Sequence, residues 1–584
     1  MRSQLHDIEV AGDPPAHPAT GIPEGFTKSG LCALVVLAAV LPFECKDPIV
    51  RAGPLAITSV EIAIYAVVLI WAAAGLRRRR FTWTFFHTAA AIFAAVFLLS
   101  ALVAATHRVE AVKFALRIMG GVVLGFACAS FVRTIRSAAW IGLALAAGSL
   151  VSAAAACAEM WLPGAAKFLA LFKTGPTLTG GYLRAGGTFQ YANIASMYWE
   201  AALPVSLAAL WWWGCRRQSR GFFWMAFGCV LLLSEAMLLA GSRAGLPIAI
   251  ATLISLWAIG KDLPPPWRRL IGAGLAGILI LIAAQIPTNP LLRLRLTTTG
   301  VSEWYSPEYK DYAGELTLEA GKLVRVPLTI RNGGRLTWRA RGSHAVALSY
   351  HWLDSDADTI LLWKGARTSL PADVGPEEAI SLEAWVRGCA TPGRYILQWD
   401  MVQEDVAWFS TFRSSGARAQ VVIVSSTTGN GPPDSFNPVD WPLPASPERR
   451  DLWRAAVRMW RQHPLLGVGP DNFRHIYGNY LGLKNYDSRV HANSFYFETL
   501  ATTGAAGMLA LALLAVSIFT AVGRGWRSAA DARGRILIAG IGIGIGTYWL
   551  HGVVDFFLPF TPTYGLFWIL TGMAVGLESG RESR

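Results

Sequence analysis

Long apolar runs separated by short polar connectors fill most of the chain. A membrane-spanning helix needs about 20 mostly apolar residues. Runs of that kind stand near 29–45, 54–75, 82–104, 112–132, 137–160, 192–213, 221–240, 243–260, 270–287, 495–522, 535–554 and 560–579. The pattern predicts about twelve transmembrane helices, with a very tight turn at Gly241, where two runs nearly touch. Over 315–424 the period changes to that of strands: Glu315 to Ile330, Ala345 to Leu353, Ile380 to Val386, Tyr395 to Val402 and Ala419 to Val424. Turn signals such as Asn332-Gly333-Gly334 and Thr391-Pro392-Gly393 separate them. Several short strands in one such stretch predict an immunoglobulin-like sandwich. From Glu448 to Gln462 the period becomes helical, with Leu452, Ala455, Ala456 and Met459 on one face.

The organisation expected is therefore an all-α polytopic membrane protein with an inserted all-β sandwich. Residues 1–29 are polar and proline-bearing and read as a disordered tail. Helices one to nine fill 30–287, with an outer loop at 161–191. A connector at 288–314, the sandwich at 315–424, a Pro/Gly/Ser/Asp-rich linker at 425–447 and a helical loop region at 448–494 follow. Helices ten to twelve take 495–579, leaving 580–584 as a short C-terminal end.

Charge fixes the expected orientation. Only 15% of the 584 residues are charged, against roughly 25% in soluble proteins. The net charge of +14 first suggests nucleic acid, but the basic residues sit in short clusters between apolar runs, and no nucleic-acid motif accompanies them. With the N-terminus inside, every inside loop is basic: Arg77 to Arg80, Arg133 and Arg136, Arg216 to Arg220, Lys261 to Arg269, and Arg524 to Arg535. The large loop before helix ten then lies outside. The cysteines form no disulfide framework, since Cys32, Cys128, Cys157 and Cys229 lie inside apolar runs. No phosphate-binding Gly-rich loop appears. The acids of Asp354 to Asp358 read as turn residues, and no metal or cofactor is expected.

Charged or titratable groups within or beside a bilayer are functional candidates by default. Arg184, Arg243, His491, His551 and Asp555 are far apart in sequence but all fall at the predicted outer face. Arginine and histidine gathered there suit an anionic head group, because guanidinium forms paired hydrogen bonds to phosphate. The alternative is that each is an interfacial anchor or a helix cap. Glu61, Glu159, Glu200 and Glu235 lie within apolar runs and read as buried hydrogen-bonding groups. The sandwich tryptophans, Trp338, Trp352, Trp363, Trp385, Trp399 and Trp408, suit either sugar stacking or a core, and strand alternation favours the core for most.

These residues also carry a resemblance. Leu183-Arg184-Ala185-Gly186-Gly187-Thr188-Phe189, with Asn193 and then Pro204, resembles an element of the O-antigen ligase and polymerase family, as does Ser242-Arg243-Ala244-Gly245. His463-Pro464-Leu465-Leu466-Gly467-Val468-Gly469, running on to Phe473, is similar to that family's outer-loop signature. His491-Ala492-Asn493-Ser494 with Gly504 and Gly507, and His551 with Asp555, resemble its later elements. The family's catalytic histidine would stand where Asn493 does, so either His491 acts from a shifted place or another group does.

The resemblance implies a GT-C-like membrane enzyme of the bacterial inner membrane, with its large loop in the periplasm. Its implied reaction is glycan transfer from a polyprenyl-diphosphate carrier to an acceptor hydroxyl, without metal. The acceptor would be a glycolipid, a polysaccharide or a protein. Arg184 and Arg243 would steady the departing diphosphate, and His491 would take the acceptor proton. Asn193, Asn493, His551, Asp555 and His463 would bind substrate, His463 by shaping its loop. The competing classes are a flippase for lipid-linked glycan and a non-catalytic envelope scaffold.

Overall fold

The computed structural model describes residues 24–52, 55–76, 82–217, 219–260, 265–356, 359–412, 416–425, 447–483 and 485–582. The basic cluster Arg77 to Arg80, most of the tail, nearly all of the 425–447 linker, and Ala357 with Asp358 lie outside the described residues.

A helix occupies each of the twelve predicted runs: Glu24–Val40, Ser59–Leu76, Phe85–Val103, Arg108–Phe131, Ile135–Trp161, Ala192–Arg217, Arg220–Ala240, Gly245–Ile259, Pro265–Gln285, Phe495–Arg527, Ala532–His551 and Thr561–Glu582. Among the described residues, seven helices are long and apolar enough to cross a membrane. Their outward faces carry Leu69, Leu102, Leu279, Ile280 and Leu509, all more than half exposed. Apolar surface on that scale needs a cover, and a bilayer supplies one. The first helix begins at Glu24, so the polar tail expected over 1–29 ends earlier. The bundle interior is closed by small residues. Gly121 and Gly125 lie against Trp568, and Gly540 and Gly544 lie on the backbone of the helix Ala192–Arg217. Such glycines let helices approach closely where lipid offers no hydrophobic drive.

The β-region is two sheets around one core. One sheet runs Thr368–Ser369, Val346–Leu353, Gly393–Gln403, Arg418–Val424 and Glu315–Glu319, with Ile360–Leu362 and Ala407–Trp408 as side pairings. The other runs Ala379–Arg387, Leu323–Asn332 and Pro307–Lys310. The stretch Glu315 to Ile330, expected as one strand, is two strands in different sheets, because the chain turns at Gly321 (φ +69°). Leu328, Ile330, Ala384 and Val386 of the smaller sheet share a core with Leu348, Tyr350, Leu397, Trp399 and Val421 of the larger. Five of the six tryptophans, Trp338, Trp352, Trp363, Trp399 and Trp408, are buried, which accords with a core role. Arg325 caps the sixth, Trp385, at 4.5 Å from its ring centroid.

The helix Arg449–Gln462 buries Leu452, Ala455, Ala456 and Met459, the face its periodicity predicts. The loop that follows it enters a break in the helix Phe495–Arg527. At the break, Gly504 adopts φ +64°, ψ −159°. Val468 and Gly469 donate to the carbonyls of Ala501 and Thr502 (both 3.0 Å), and Ala505 and Ala506 donate back to Pro464 (2.8 Å) and Leu465 (3.1 Å). The backbone groups freed by the break are thus satisfied by the Pro464 to Gly469 loop. A Cβ on Gly504 would lie 2.5 Å from the Leu465 backbone, and one on Gly467 2.4 Å from Thr502. Gly504→Ala should therefore destabilise the protein by about 2–4 kcal/mol. Thermal unfolding of detergent-purified protein checks this, and a wild-type midpoint would refute the loop-in-break account.

Candidate functional site

Four arginines meet at one end of the bundle. Arg184 ends a short hairpin, Thr177–Thr179 with Tyr182–Arg184. It is 7% exposed. It donates from Nε to the Ala240 carbonyl (2.8 Å) and from Nη2 to Asn193 Oδ1. Ala185 N adds a bond to Leu239 O (3.0 Å). The loop after it is held by Glu159, whose Oε2 accepts from Gly186 N (3.1 Å) and Gly187 N (3.0 Å), and whose Oε1 pairs with buried Lys173.

Arg243 sits in the tight turn after Arg220–Ala240, which Gly241 makes in the left-handed region at φ +59°. It donates to Thr299 O and, at 3.2 Å, to Thr298 Oγ1. Gly245 lets this turn reach the neighbouring helix, since a Cβ there would stand 2.1 Å from Ser196 Oγ and 2.9 Å from Glu200 Oε1. Glu235 bonds Gln285 (2.7 Å), so it is a hydrogen-bonding group.

Arg295 and Arg449 complete the set, and sequence reasoning missed both. Arg295 lies on the helix Pro290–Thr297, its guanidinium 5.6 Å from the Trp304 ring centroid. Burial, then the charges of Arg184, Arg243 and Arg449, push it down to about 9. Burial likewise brings Arg184 to about 10, with Asp555 opposing and Arg449 assisting. Burial and Arg449 lower Arg243, with Glu303 opposing. At about 10 and about 9, Arg184 and Arg295 remain cationic at neutral pH. The hydrogen-bond partners of Arg184 and Arg243 are neutral oxygens, so their charge is not cancelled at contact. Among the described residues, the Nε atoms of Arg243 and Arg295 are buried without a partner. Charges withdrawn from water and left uncompensated are costly, and an anion with several oxygens would relieve them.

Two histidines lie beside the cluster in matching settings. His551, 2% exposed, has Nδ1 2.7 Å from Glu200 Oε2 and Nε2 4.0 Å from Asp555 Oδ2. Glu200 also accepts from Ser196 Oγ (2.8 Å). His491 has Nδ1 3.0 Å from Glu498 Oε1 and Nε2 4.0 Å from Asp471 Oδ1. Glu498 Oε2 accepts from Ala492 N (2.7 Å), and Arg474 grips Asp471 through two bonds (2.8 and 2.7 Å). The ring of Phe556, the residue after Asp555, lies 5.1 Å from that of His491. His491 thus lies against Phe556, whose chain neighbour Asp555 faces His551.

Residues 406–512 match a family described as O-Antigen ligase. This segment is of the O-antigen ligase family. The O-antigen ligase segment spans His463, His491, Asn493 and the Gly504 break, whereas Arg184, Arg243, Arg295, His551 and Asp555 lie outside the match. No curated protein matches. Among solved structures, the Pseudomonas fluorescens alkylpurine DNA glycosylase AlkC bound to DNA is 13% identical, with 58% of this chain and 98% of that one covered, at a TM-score of 0.13; so low a score carries no argument.

Of the site residues expected from sequence, Arg184, Arg243, Asn193, His551 and Asp555 come together. His491 stands one side chain away. Asn493 follows it at φ +48°, which shapes the entry to the helix Phe495–Arg527. His463 is exposed and instead lines a separate cavity of about 850 Å³ with Arg458, Arg461 and Tyr480.

Burial opposes charge on His491, but Glu498, by charge and hydrogen bond, and Asp471 outweigh it, so its pKa is raised. A raised native value adds stability below the unfolded pKa of about 6.5, and that stability is lost as pH rises through the native value. His491→Gln should cost about 1 kcal/mol more near pH 6 than near pH 9. Unfolding midpoints at both pH values test this, and equal losses would exclude a charged pair.

Proposed function

We propose that the protein transfers a glycan from a polyprenyl-diphosphate carrier to an acceptor hydroxyl at the periplasmic face of a bacterial inner membrane, as an O-antigen ligase or polymerase. The observation that carries this is the gathering of Arg184, Arg243 and Arg295 about Gly241, Thr298 and Trp304, with the Nε atoms of Arg243 and Arg295 buried and unpartnered among the described residues. All twelve helices cross the bilayer in this reading, and the sandwich end faces the periplasm.

In the reaction, the acceptor oxygen attacks the anomeric carbon and the carrier diphosphate leaves with the bonding electrons. Negative charge grows on the leaving group, and fixed cations aimed at it lower the barrier. Arg184 and Arg243 flank the diphosphate, with Arg295 behind them. His491 is the candidate acceptor base, because it is 15% exposed while His551 is 2% exposed. Glu498 holds His491 Nδ1, which leaves Nε2 to receive the proton, as the carboxylate does in a catalytic triad. His551 and Glu200 steady Asp555 beside Arg184. Asn193 orients Arg184, and Asn493 and His463 shape the acceptor side.

The test uses purified protein in nanodiscs with a lipid-linked glycan and candidate acceptors. Arg184→Ala and Arg243→Ala should each lower transfer by about 10²–10³-fold. His491→Ala should lower it by about 10²–10⁴-fold while donor binding persists. Translocation of donor lipid without bond formation would replace this reading with a flippase. Full activity in both arginine variants would end it.

A further inference from the structure

We infer that the β-sandwich is a clamp that positions the arginine cluster through Gln403 and Trp304, an inference that rests on the anion-binding reading of that cluster. The hairpin that ends in Arg184 has three paired positions and turns through Gly180 (φ +62°) and Gly181 (φ +75°). A two-stranded hairpin of that size is not stable alone. Its tip is seated in the sandwich. Gln403 Nε2 donates to Gly180 O (3.3 Å), and Tyr305 Oη donates to Gln403 Oε1 (2.8 Å). Beside a pocket of about 180 Å³, the tip is close-fitting at two points: a Cβ on Gly181 would stand 2.6 Å from Gln403 Nε2, and one on Gly180 2.9 Å from the Trp304 ring.

Trp304 joins the other two arginine-bearing segments. Its Nε1 donates to Thr298 Oγ1 (2.8 Å), the same oxygen that receives Arg243 Nη2 (3.2 Å). Arg295 lies over its ring at 5.6 Å. Trp304 belongs to the sandwich core, and Gln403 ends a strand paired along its length with Val346–Leu353. Arg184 is thus mounted at both ends, by Asn193 and Ala240 on the bundle side and by the sandwich at the hairpin tip. Gln403 and Trp304 are positioning residues, since neither faces the ligand space.

The experiment uses the full chain in nanodiscs, with hydrogen exchange and with inorganic pyrophosphate as the probe. Gln403→Met and Gly181→Val are compared with Trp385→Ala, on the smaller sheet, as control. Exchange over 177–188 should rise about tenfold in the first two, and the pyrophosphate Kd should rise about three- to tenfold, the worth of a hydrogen bond. The control should change neither. An unfolding midpoint of Gln403→Met close to that of wild type separates loosening of the hairpin from general damage. Unchanged exchange in both variants overturns the clamp. Faster exchange with unchanged pyrophosphate affinity overturns its positioning role. Faster exchange in a protein whose wild type binds no pyrophosphate supports the clamp and removes the anion site.

Discussion

The sandwich end of the bundle is organised around guanidinium groups, Arg184 buried and Arg243 and Arg295 half-buried, without matching carboxylates at contact distance among the described residues. Arg184 bonds a backbone carbonyl and a side-chain amide oxygen, and Arg243 bonds a carbonyl and a hydroxyl. These partners fix direction without removing charge. The acids in the electrostatic neighbourhood are Asp555 for Arg184 and Glu303 for Arg243, and neither makes an ion pair with its arginine. Lys173 offers the contrast: it is buried to the same degree and fully paired with Glu159. One cation close by is neutralised and used as structure, while its neighbours are held ready.

Holding like charges together requires a stiff frame, because mutual repulsion would otherwise spread them. Glycine supplies much of the stiffness by allowing backbone to touch backbone. Gly187 lies on the Ser152 carbonyl and Gly504 on the Leu465 backbone, while Gly245 lies on the Ser196 and Glu200 side chains. Glu159 contributes from inside the bundle, bonding two consecutive amides after Arg184. Such contacts leave few alternative arrangements, and preorganisation of that kind is what makes a charged site act on a developing charge. The sandwich extends the same frame outward, reaching the cluster through two side chains.

The helices and the β-region were legible in sequence because hydrophobic periodicity is a local signal. The strand break at Gly321 was missed, since both halves continue the same alternation. Arg295 and Arg449 were missed for a different reason. They stand in polar stretches outside the apolar runs, where an arginine is unremarkable, and only the folding of the 288–314 connector onto Gly241 gives Arg295 its burial. Glu159 and Glu200 were read as buried hydrogen-bonding groups, which they are. What sequence did not convey is that their partners are the Arg184 loop and His551, contacts set by packing between distant helices.

The paired histidines bear most on mechanism. Each has a glutamate on Nδ1 and an aspartate 4.0 Å from Nε2. That arrangement fixes the tautomer and keeps Nε2 directed at an acid without bonding it. Two such units serving one proton would be redundant, yet their surroundings differ. The acid of the His551 unit, Asp555, stands beside Arg184, so a change in that unit is felt by the arginines. The acid of the His491 unit, Asp471, is gripped by Arg474. The two units thus answer to different charges, the first to the Arg184 guanidinium and the second to the Asp471–Arg474 pair.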